Sequence, residues 1–416
     1  MGFIGKQPTP VPLTASDITD GIISTDKLAS NAVTSAKITD GSIATADIAD
    51  SAVTKAKTTG VVSDPFRNLI INGDMSISQR ATSKSSITGN GYHTLDRYHL
   101  NCDTMGTWTM SQSTDVPTGQ GFVSSLKMDC TTANGSLSSD SQAQISQGIE
   151  GQNLQYLKKG TSSAESLTWS FWTKSNKTGT YICQIRDIDN SRSISKSYTI
   201  SSADTWEKKI ITFPGDTTGA LDNDNGKSFE IRWWLVAGTN FTSGSLATSW
   251  GSETSANNAV GQVNLADSTS NEWYLTGAQL EAGSQASDFE FLPIDVNLER
   301  CKRYFQTKGT SLSPNAFTNN QTVAMGLART VSQAQCYMEL NPIMRSEPTV
   351  SGIGTLSNLK CHTATGGNVN TSSIGSDGTP NRQQVTYLAN NLTSGLNNNE
   401  PIRLYGDYTI TFDAEL

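Results

Sequence analysis

A five-residue spacing of aliphatic side chains between residues 17 and 57 constrains the fold of this chain more than any other feature. A step of five residues turns about 500° on an α-helix, so these side chains cannot share one helix face. On a straight strand the same step moves each side chain to the opposite side. The backbone must therefore bend within each ten-residue unit. The spacing is kept by Ile18, Ile23, Leu28, Val33, Ile38, Ile43, Ile48 and Val53.

Each ten-residue unit has two different halves. One half, as in residues 23–28, carries Ser or Thr at positions that suit the start of a single helical turn. The other half carries turn-forming pairs such as Asp20-Gly21 and Asp40-Gly41. The sequence therefore predicts a short helical turn followed by a tight turn, with an extended backbone as the alternative.

A single copy of this segment has too few apolar side chains to hold a fold. Each unit contains about two aliphatic side chains, which contribute roughly 1.5–3 kcal/mol apiece when buried. Ordering ten residues costs roughly 10–20 kcal/mol of backbone entropy. Copies wound around one axis would share their aliphatic side chains and make the contacts cooperative. We therefore expect an oligomeric stalk over residues 17–63 with the eight aliphatic residues as its core; a disordered Ser/Thr/Ala linker is the alternative.

The composition favours many short strands and argues against several classes of function. The 416 residues are 35% hydrophobic and 16% charged. Because the net charge is -8 and no long run of Lys or Arg is present, we expect no nucleic-acid binding. No apolar run reaches the roughly 18–20 residues of a membrane span, so we expect no membrane insertion. Residues 1–13 lack a secretion-signal pattern, and the six scattered cysteines predict buried, reduced thiols, as in a protein assembled in a cytosol.

Residues 1–16 predict a stiff, extended peptide, because their alternating prolines exclude a helix. An apolar pair ahead of such a rod suits docking into a groove on another protein; a frayed terminus is the alternative. The opening FIGKQP resembles the start of fibre proteins of tailed bacteriophages. The ten-residue repeats resemble the stalk repeats of phage head and tail fibres, which are typically homotrimers. The resemblance implies that Phe3, Ile4, Gln7 and Pro8 anchor the chain to a phage capsid or tail protein.

Residues 64–292 read as a mainly β domain. Segments 166–173 and 180–186 alternate apolar and polar residues with the period of a strand, and 68–75 reads as an apolar strand ending in an Asn-Gly turn. The motifs NLIINGDMSISQR at 68–80, TLDRYHL at 94–100 and WYLTGAQLEAGSQASDFEF at 273–291 resemble the carbohydrate-binding-module-like jelly roll of phage structural proteins. The resemblance implies a jelly-roll β-sandwich. Relatives of the cellulolytic type often hold a structural calcium through an acidic residue of the last strand, which this chain lacks, so we predict no such ion.

Residues 293–310 predict a short linking helix, because Leu298, Cys301 and Phe305 recur with helical spacing. This stretch resembles the LxxCxRYY element that follows the jelly roll in such phage proteins. Residues 311–416 predict a C-terminal β-sandwich domain. Within it, residues 344–350 resemble the MRxxPTV segment of phage fibre C-terminal domains, and residues 411–416 resemble their usual terminus.

The sequence contains no recognisable catalytic constellation. There are three histidines, and none lies in a known catalytic or nucleotide-binding motif. The spacing of His93 and His99 around Asp96 fits no standard metal site. A glycosidase pair of carboxylates is compatible with the sequence, but the long β-helix repeats on which polysaccharide-degrading phage fibres usually rest are missing from 65–416. We expect neither enzymatic activity nor a metal or cofactor.

Tryptophan is the residue type that points most directly to a ligand. Aromatic faces stack on the apolar faces of sugar rings, and the chain has eight tryptophans. Adjacent Trp233 and Trp234 face opposite sides of one strand, as do Trp169 and Trp172. One member of each pair must leave the core or meet a neighbouring chain. We predict that Trp172 and Trp234 lie on a concave glycan-binding face, with Trp250 on a loop.

These features together indicate a homotrimeric, non-enzymatic fibre of a tailed-phage virion, assembled in the host cytoplasm. Its N-terminal peptide would bind the particle, and its β modules would contact host-surface glycans or proteins weakly but at several sites at once. One alternative is a capsid head fibre or decoration protein without an essential receptor role. A polysaccharide depolymerase is the other.

Overall fold

The structure, a computed structural model, describes residues 14, 18–19, 21–30, 32–39, 41–48, 66–309, 322–353, 359–363, 368–371, 373–376, 384–390, 396–406 and 408–416. The chain divides into two units, Met1–Val61 and Val62–Leu416. The predicted anchor residues Phe3, Ile4, Gln7 and Pro8 and the stalk residue Val53 lie outside the described residues. The anchoring role therefore stays a prediction.

The first unit is a series of turns that recur every five residues. Backbone N–H groups donate to the carbonyl three residues earlier over distances of 2.9–3.2 Å, at Ile22, Lys27, Ala32, Lys37, Ser42 and Asp47. Every second turn is a 3-10 helix, and three of these helices are described: Thr25–Lys27, Ser35–Lys37 and Thr45–Asp47. They lie in the half of the unit for which the sequence predicts a helical turn. In the other half, Gly21 and Gly41 adopt φ of +81° and +76°, which favours glycine.

The aliphatic side chains of the repeats remain in solvent in the single chain. From Ile18 to Ile48, the seven described members of the five-residue series are between 41% and 57% exposed. The described turns therefore leave these seven side chains exposed. The predicted trimer is not tested by these observations and stays a prediction.

The second unit begins with a jelly-roll sandwich of two antiparallel sheets. In spatial order, the six-stranded sheet contains β1 (Ser83–Ile87), β4 (Trp108–Ser113), β5 (Ser125–Cys130), β13 (Glu272–Ala282), β7 (Leu167–Ser175) and β10 (Glu207–Phe213). The seven-stranded sheet contains β12 (Gly251–Ser252), β9 (Arg192–Ile200), β8 (Gly179–Asp187), β11 (Lys227–Ala237), β6 (Gln142–Glu150), β3 (His99–Asp103) and β2 (Gly91–Tyr92). The strands of both sheets pair antiparallel, so the predicted mainly β sandwich is confirmed.

Aromatic side chains fill the space between the two sheets. Trp108, Trp169, Trp233 and Trp273 are fully buried there. The rings of Trp169 and Trp233, which come from opposite sheets, meet edge to face with centroids 4.6 Å apart. The inward members of the two tryptophan pairs are thus core residues, as the alternation predicts.

Residues 68–75 form turns and not the predicted strand. Two asparagine side chains supply the hydrogen bonds that a strand ladder would have made. The side-chain oxygen of Asn68, Oδ1, accepts hydrogen bonds from the backbone N–H groups of Ile70 and Leu280, both at 3.0 Å. Asn72, at φ +60°, donates its amide to the carbonyl oxygens of Ile77 and Asp96. The apolar run between these asparagines therefore forms turns, although its composition predicts a strand.

The described part of the second unit contains two α-helices, α1 (Thr239–Thr242) and α2 (Ile294–Lys302). The predicted helix over 293–310 is too long, because residues 305–309 form the strand β14 (Phe305–Gly309). Phe305 shares helical spacing with Leu298 and Cys301, yet its strand pairs with β23 (Thr409–Asp413). A long-range ladder overrides the local pattern here.

The C-terminal part contains two further sheets. The first is three-stranded, with β14, β23 and β17 (Thr349–Ile353) in that order. The second contains β19 (Asn368–Asn370), β18 (Leu359–Thr363), β22 (Pro401–Gly406), β15 (Thr322–Thr330), β16 (Gln333–Glu339), β21 (Gln384–Asn390) and β20 (Ser373–Ser376). A separate core that includes Cys336, Leu404 and Phe412 lies among them.

Buried arginines connect the jelly roll to the C-terminal strands. Arg97 is fully buried; it pairs with Glu415, donates to the carbonyl oxygen of Gly148 at 2.7 Å and stacks 3.4 Å from the ring centroid of Tyr304. Arg80 pairs with Asp413 at 3.0 Å. These contacts cross the predicted limits of the helix and of the two β domains. The domain boundaries themselves, at 64–292, 293–310 and 311–416, stay predictions.

Several smaller expectations also have outcomes. All six cysteines are buried and form no disulfide, as predicted. Among the described residues no helix is long and apolar enough to cross a membrane. In that same part of the chain, no group of three or more His, Cys, Asp or Glu is placed to hold a metal ion.

Candidate functional site

The outer surface of the seven-stranded sheet carries polar side chains in register, and we call it the polar face. On β11 the residues Phe229, Ile231 and Trp233 point into the core, so the alternate residues point outward. Arg232 lies opposite Gln184 of β8 and Ser146 of β6. The polar face consists of His99, Asn101, Gln144, Ser146, Gln184, Arg186, Glu230, Arg232 and Trp234.

Glu230 is the electrostatic centre of the polar face. Its carboxylate accepts hydrogen bonds from Lys227 Nζ at 2.9 Å, Arg232 Nε at 2.7 Å and Arg186 Nη1 at 3.1 Å. Burial alone would raise the pKa of Glu230, but the three cations outweigh burial and lower the pKa to about 2. Arg186 also donates to Glu253 at 2.6 Å. Glu230 is therefore ionised at neutral pH.

A polar cleft of about 90 Å³ opens at one end of this face. At roughly 30 Å³ per liquid water, it has room for about three water molecules or a few hydroxyl groups. The His99 ring packs edge to face against Tyr92, with centroids 4.8 Å apart. Burial lowers the pKa of His99 to about 4, so its ring is neutral at pH 7. The cleft is lined by Tyr92, His99, Asn101, Ser146, Gly148, Lys227, Glu230 and Leu416.

The cleft offers hydrogen-bond donors and acceptors, and the charges of Lys227 and Glu230 balance each other. An amide, a hydroxyl and a neutral imidazole line it beside the ion pair of Lys227 and Glu230. Groups of this kind, placed at fixed positions, recognise the hydroxyls of a sugar or another polar, uncharged ligand.

The other end of the polar face is covered by residues 238–259. Trp234 packs there against Phe241, with ring centroids 5.2 Å apart, and against Ile182 and Ala259. Its indole N–H donates to Gln184 Oε1 at 3.3 Å. Trp234 is therefore fully buried. The prediction that Trp234 is presented to a glycan is wrong in this structure, because the covering segment closes the outward side of the sheet as well.

Several buried polar atoms on and beneath the polar face have no hydrogen-bond partner. They are Gln144 Oε1, Gln184 Nε2, Arg186 Nε, Ser193 Oγ and Asn258 Oδ1. Buried polar atoms are satisfied in the great majority of cases, by protein or by ordered water.

The three tryptophans predicted to bind glycan do not come together. Trp172 lies half-buried on β7, on the outer side of the six-stranded sheet, where it is paired with Lys208 and Thr276. Trp172 and Trp234 thus face away from each other on opposite sheets, contrary to the prediction of one shared face. Trp250 is also half-buried; its indole N–H donates to the Pro214 carbonyl oxygen at 2.8 Å.

Sequence reasoning missed two groups of functional candidates. The cleft residues His99 and Asn101 alternate on a short strand, and this was a usable signal. Trp206 is the second candidate: Trp206, Lys208 and Ile210 recur with period two, and the latter two are exposed. Lys227 and Arg232 lie beside Glu230 on one strand and were a usable local signal, whereas the third cation, Arg186, comes from β8.

Comparison with known proteins gives no family assignment. No protein-family model matches the chain. No curated protein matches it either.

Solved structures of similar form include a phage tailspike domain and several carbohydrate-binding modules. The enzymatically active domain of bacteriophage CBA120 tailspike protein 4 is 14% identical, with a TM-score of 0.28, and the match covers 53% of this chain and 22% of that one. A family 11 carbohydrate-binding module of Clostridium thermocellum, solved with a β-1,3-1,4-mixed-linked tetrasaccharide, is 12% identical, with a TM-score of 0.23, and the match covers 51% and 99%. The C-terminal family 22 module of Clostridium thermocellum Xyn10B is 8% identical, with a TM-score of 0.25, and the match covers 54% and 99%. At such scores, the description of a binding site rests on the geometry given above.

Proposed function

We propose that this protein is a structural fibre protein of a tailed-phage virion that adheres to host-surface glycans through the polar face. The observation that carries the adhesive role is the cleft beside Glu230. Asn101 Nδ2 donates to Ser146 Oγ at 3.3 Å and the neutral His99 ring packs against Tyr92, so these groups are already oriented for the hydroxyls of a sugar. The virion role is supported by the N-terminal motif, the ten-residue repeats and the C-terminal motif in the sequence.

The repeats supply the multivalency that weak sugar binding needs. Their exposed aliphatic side chains require sister chains for burial, and we propose a homotrimer in which residues 17–63 form the stalk. Phe3, Ile4, Gln7 and Pro8 would hold the trimer on a capsid or tail protein. Linked copies of one weak site raise the overall affinity without any new contact.

The ion network supports binding rather than hydrolysis at this face. A glycosidase needs one carboxylic acid that is protonated near the working pH and a second carboxylate across the scissile bond. The pKa of Glu230 is about 2, so this residue carries no proton to donate at neutral pH. Its neighbour Glu253 is engaged with Arg186. We therefore propose that the protein binds glycans and does not cleave them.

The adhesive role is tested by affinity electrophoresis of the full chain in gels that contain purified bacterial surface polysaccharides. We expect at least one polysaccharide to retard the protein, and Asn101→Ala to weaken that retardation at least tenfold. Asn153→Ala, an exposed asparagine in a turn away from the cleft, is the matched control. Equal retardation of both variants by every polysaccharide would reject the polar face as the site.

The remaining elements need separate measurements. Multi-angle light scattering is expected to give three times the 44.5 kDa chain mass, and a monomer would contradict the stalk. Release of reducing ends from a bound polysaccharide would instead establish a depolymerase. Labelled images of the virion decide between tail fibre and head fibre, and unchanged adsorption of a deletion phage would favour a decoration role.

A further inference from the structure

A second ordered surface lies on the outer side of the six-stranded sheet. In one row across the strands, Lys174 of β7 lies opposite Tyr274 of β13, which lies opposite Lys127 of β5. Trp206, immediately before β10, continues this row on the other side of Lys174. In the next row Lys208 lies opposite Trp172. We call this surface the aromatic face and define it by Lys127, Trp172, Lys174, Trp206, Lys208 and Tyr274.

The rings of the aromatic face are held in fixed orientations. The Lys174 ammonium lies 4.3 Å from the ring centroid of Tyr274 and 5.8 Å from that of Trp206. The Trp206 indole N–H donates to Asp115 Oδ1 at 2.9 Å. The rings of Trp206 and Tyr274 meet edge to face with centroids 6.0 Å apart. A ligand that stacks on these rings would therefore cost little ordering of side chains.

The charges between the rings are compensated in pairs. Lys174 pairs with Asp115, and Lys127 pairs with Glu272 at 3.0 Å. The carboxylate side chains of Asp115 and Glu272 are 42% and 36% exposed, so a ligand can reach them. Each pair places an acceptor beside a donor. This arrangement matches neighbouring hydroxyls of a sugar, whereas it would repel part of any strongly charged ligand.

The spacing of the rings suits an extended chain. Trp172 and Trp206 are diagonal neighbours on adjacent strands, a relation that places such residues roughly 7–8 Å apart. Gly277, at φ +60°, lets two rings pack against the strand, because a Cβ there would stand 2.6 Å from Phe122 Cζ and 3.1 Å from Trp172 Cδ1. We propose that the aromatic face is a second carbohydrate-binding surface that takes a neutral polysaccharide chain along Trp172 and Trp206. Tyr274 is buried and supports the ring of Trp206.

A protein partner fits this surface less well than a sugar. Protein interfaces have an apolar centre from which lysine is depleted. Here Lys174 lies between the rings of Trp206 and Tyr274, and Lys208 lies beside Trp172 in the next row. The aromatic face is formed by a different sheet from the polar face, so this inference stands independently of the first binding site.

The test is affinity electrophoresis of the full chain against four neutral polymers, namely dextran, galactomannan, hydroxyethyl cellulose and laminarin, with polygalacturonate and heparin as anionic probes. We expect retardation by at least one neutral polymer, a loss of at least tenfold in affinity for Trp206→Ala, and most of the affinity kept by Trp206→Phe. Asn101→Ala, in the polar cleft, should change this affinity less than twofold. Thermal unfolding of each variant identifies any that fails to fold, and Lys208→Ala, with an expected threefold loss, replaces it.

Three results would overturn the proposal. The first is no retardation of the wild-type protein by any neutral polymer. The second is an anionic polymer as the preferred ligand. The third is a Trp206→Ala variant that changes the oligomeric mass by light scattering but keeps its polymer affinity, which would make the face a contact between copies. Loss of binding in Asn101→Ala with none in Trp206→Ala would retain the polar-face proposal alone.

Discussion

The two outer faces of the jelly roll carry similar residue types, but their carboxylates differ in burial and in the number of cations they bind. On the polar face, Glu230 is 8% exposed and serves three cations beside a covering segment. On the aromatic face, Glu272 is 36% exposed and pairs with a single lysine. Both carboxylates alternate outward on a strand, so alternation alone does not distinguish them. The comparison teaches that the segment lying over a sheet, more than the strand pattern, determines whether an ion pair is structural or accessible.

The largest expected difference between the faces comes from neutralising each carboxylate. Glu230→Gln leaves buried cations without a counter-charge, and we expect it to lower the free energy of unfolding by about 3–5 kcal/mol. Glu272→Gln should cost less than about 1 kcal/mol, because its pair is solvated. Urea unfolding at pH 7 measures both. Equal losses of unfolding free energy would show that the two carboxylates do not differ in their contribution to stability.

A smaller difference is expected in the response to acid. Burial lowers the pKa of His99 to about 4 from an ordinary 6.5, so the neutral form is favoured in the folded state. The unfolded chain then binds more protons between pH 6.5 and 4. Stability from this residue is therefore fully present above pH 6.5 and is lost as the pH falls through 4. We expect wild type to lose about 1–2 kcal/mol more than His99→Asn across this window, because the variant cannot titrate.

Asp96, beneath Arg80, acts with the opposite sign and must be separated from this effect. Burial raises its pKa to about 6 from an ordinary 3.8, so its contribution to stability falls as the pH rises through that range. The difference in unfolding free energy between wild type and His99→Asn at each pH cancels the contribution of Asp96, because both proteins contain it. A flat difference between pH 4 and 6.5 would show that His99 is not buried as described.

The smallest expected effects are those of two outward lysines. Lys227→Ala removes one of three cations from Glu230, and we expect a loss of about 1 kcal/mol. Lys208→Ala, on the exposed aromatic face, should stay within about 0.5 kcal/mol of wild type. Thermal unfolding at one pH compares them directly. A larger loss for Lys208 would indicate that the aromatic face is also structurally covered.

The sequence predicted those elements whose signal is local. Period-two alternation over 166–173 and 180–186 predicted β7 and β8, and it correctly separated Trp233 from Trp234. The turn-based repeat also had a local cause, because Ser, Thr, Asp and Gly recur at the turns.

Elements that depend on distant partners were not predictable in this way. Residues 305–309 became a strand through a ladder with β23, more than one hundred positions later. The burial of Trp234 required residues 238–259 to return over the sheet. Within the candidate site, the aromatic character of Trp172 and the charges of Lys227 and Arg232 beside Glu230 were readable. The third cation, Arg186, comes from β8, 44 positions away in the sequence. Prediction from sequence failed where an element depends on tertiary contacts, because a local stretch of residues does not contain its distant partners.

The pairing of Arg97 with Glu415 has a consequence for biosynthesis. The two residues are 318 positions apart, so a ribosome that has completed the first sheet is still far from supplying the counter-charge. Enclosing a lone guanidinium costs several kcal/mol, which disfavours early closure of the sandwich around it. At roughly 5–20 residues per second, the nascent chain would wait tens of seconds for its partner. Final consolidation of this protein is thus a late event that follows synthesis of the last strand, and holding chaperones have that interval in which to act.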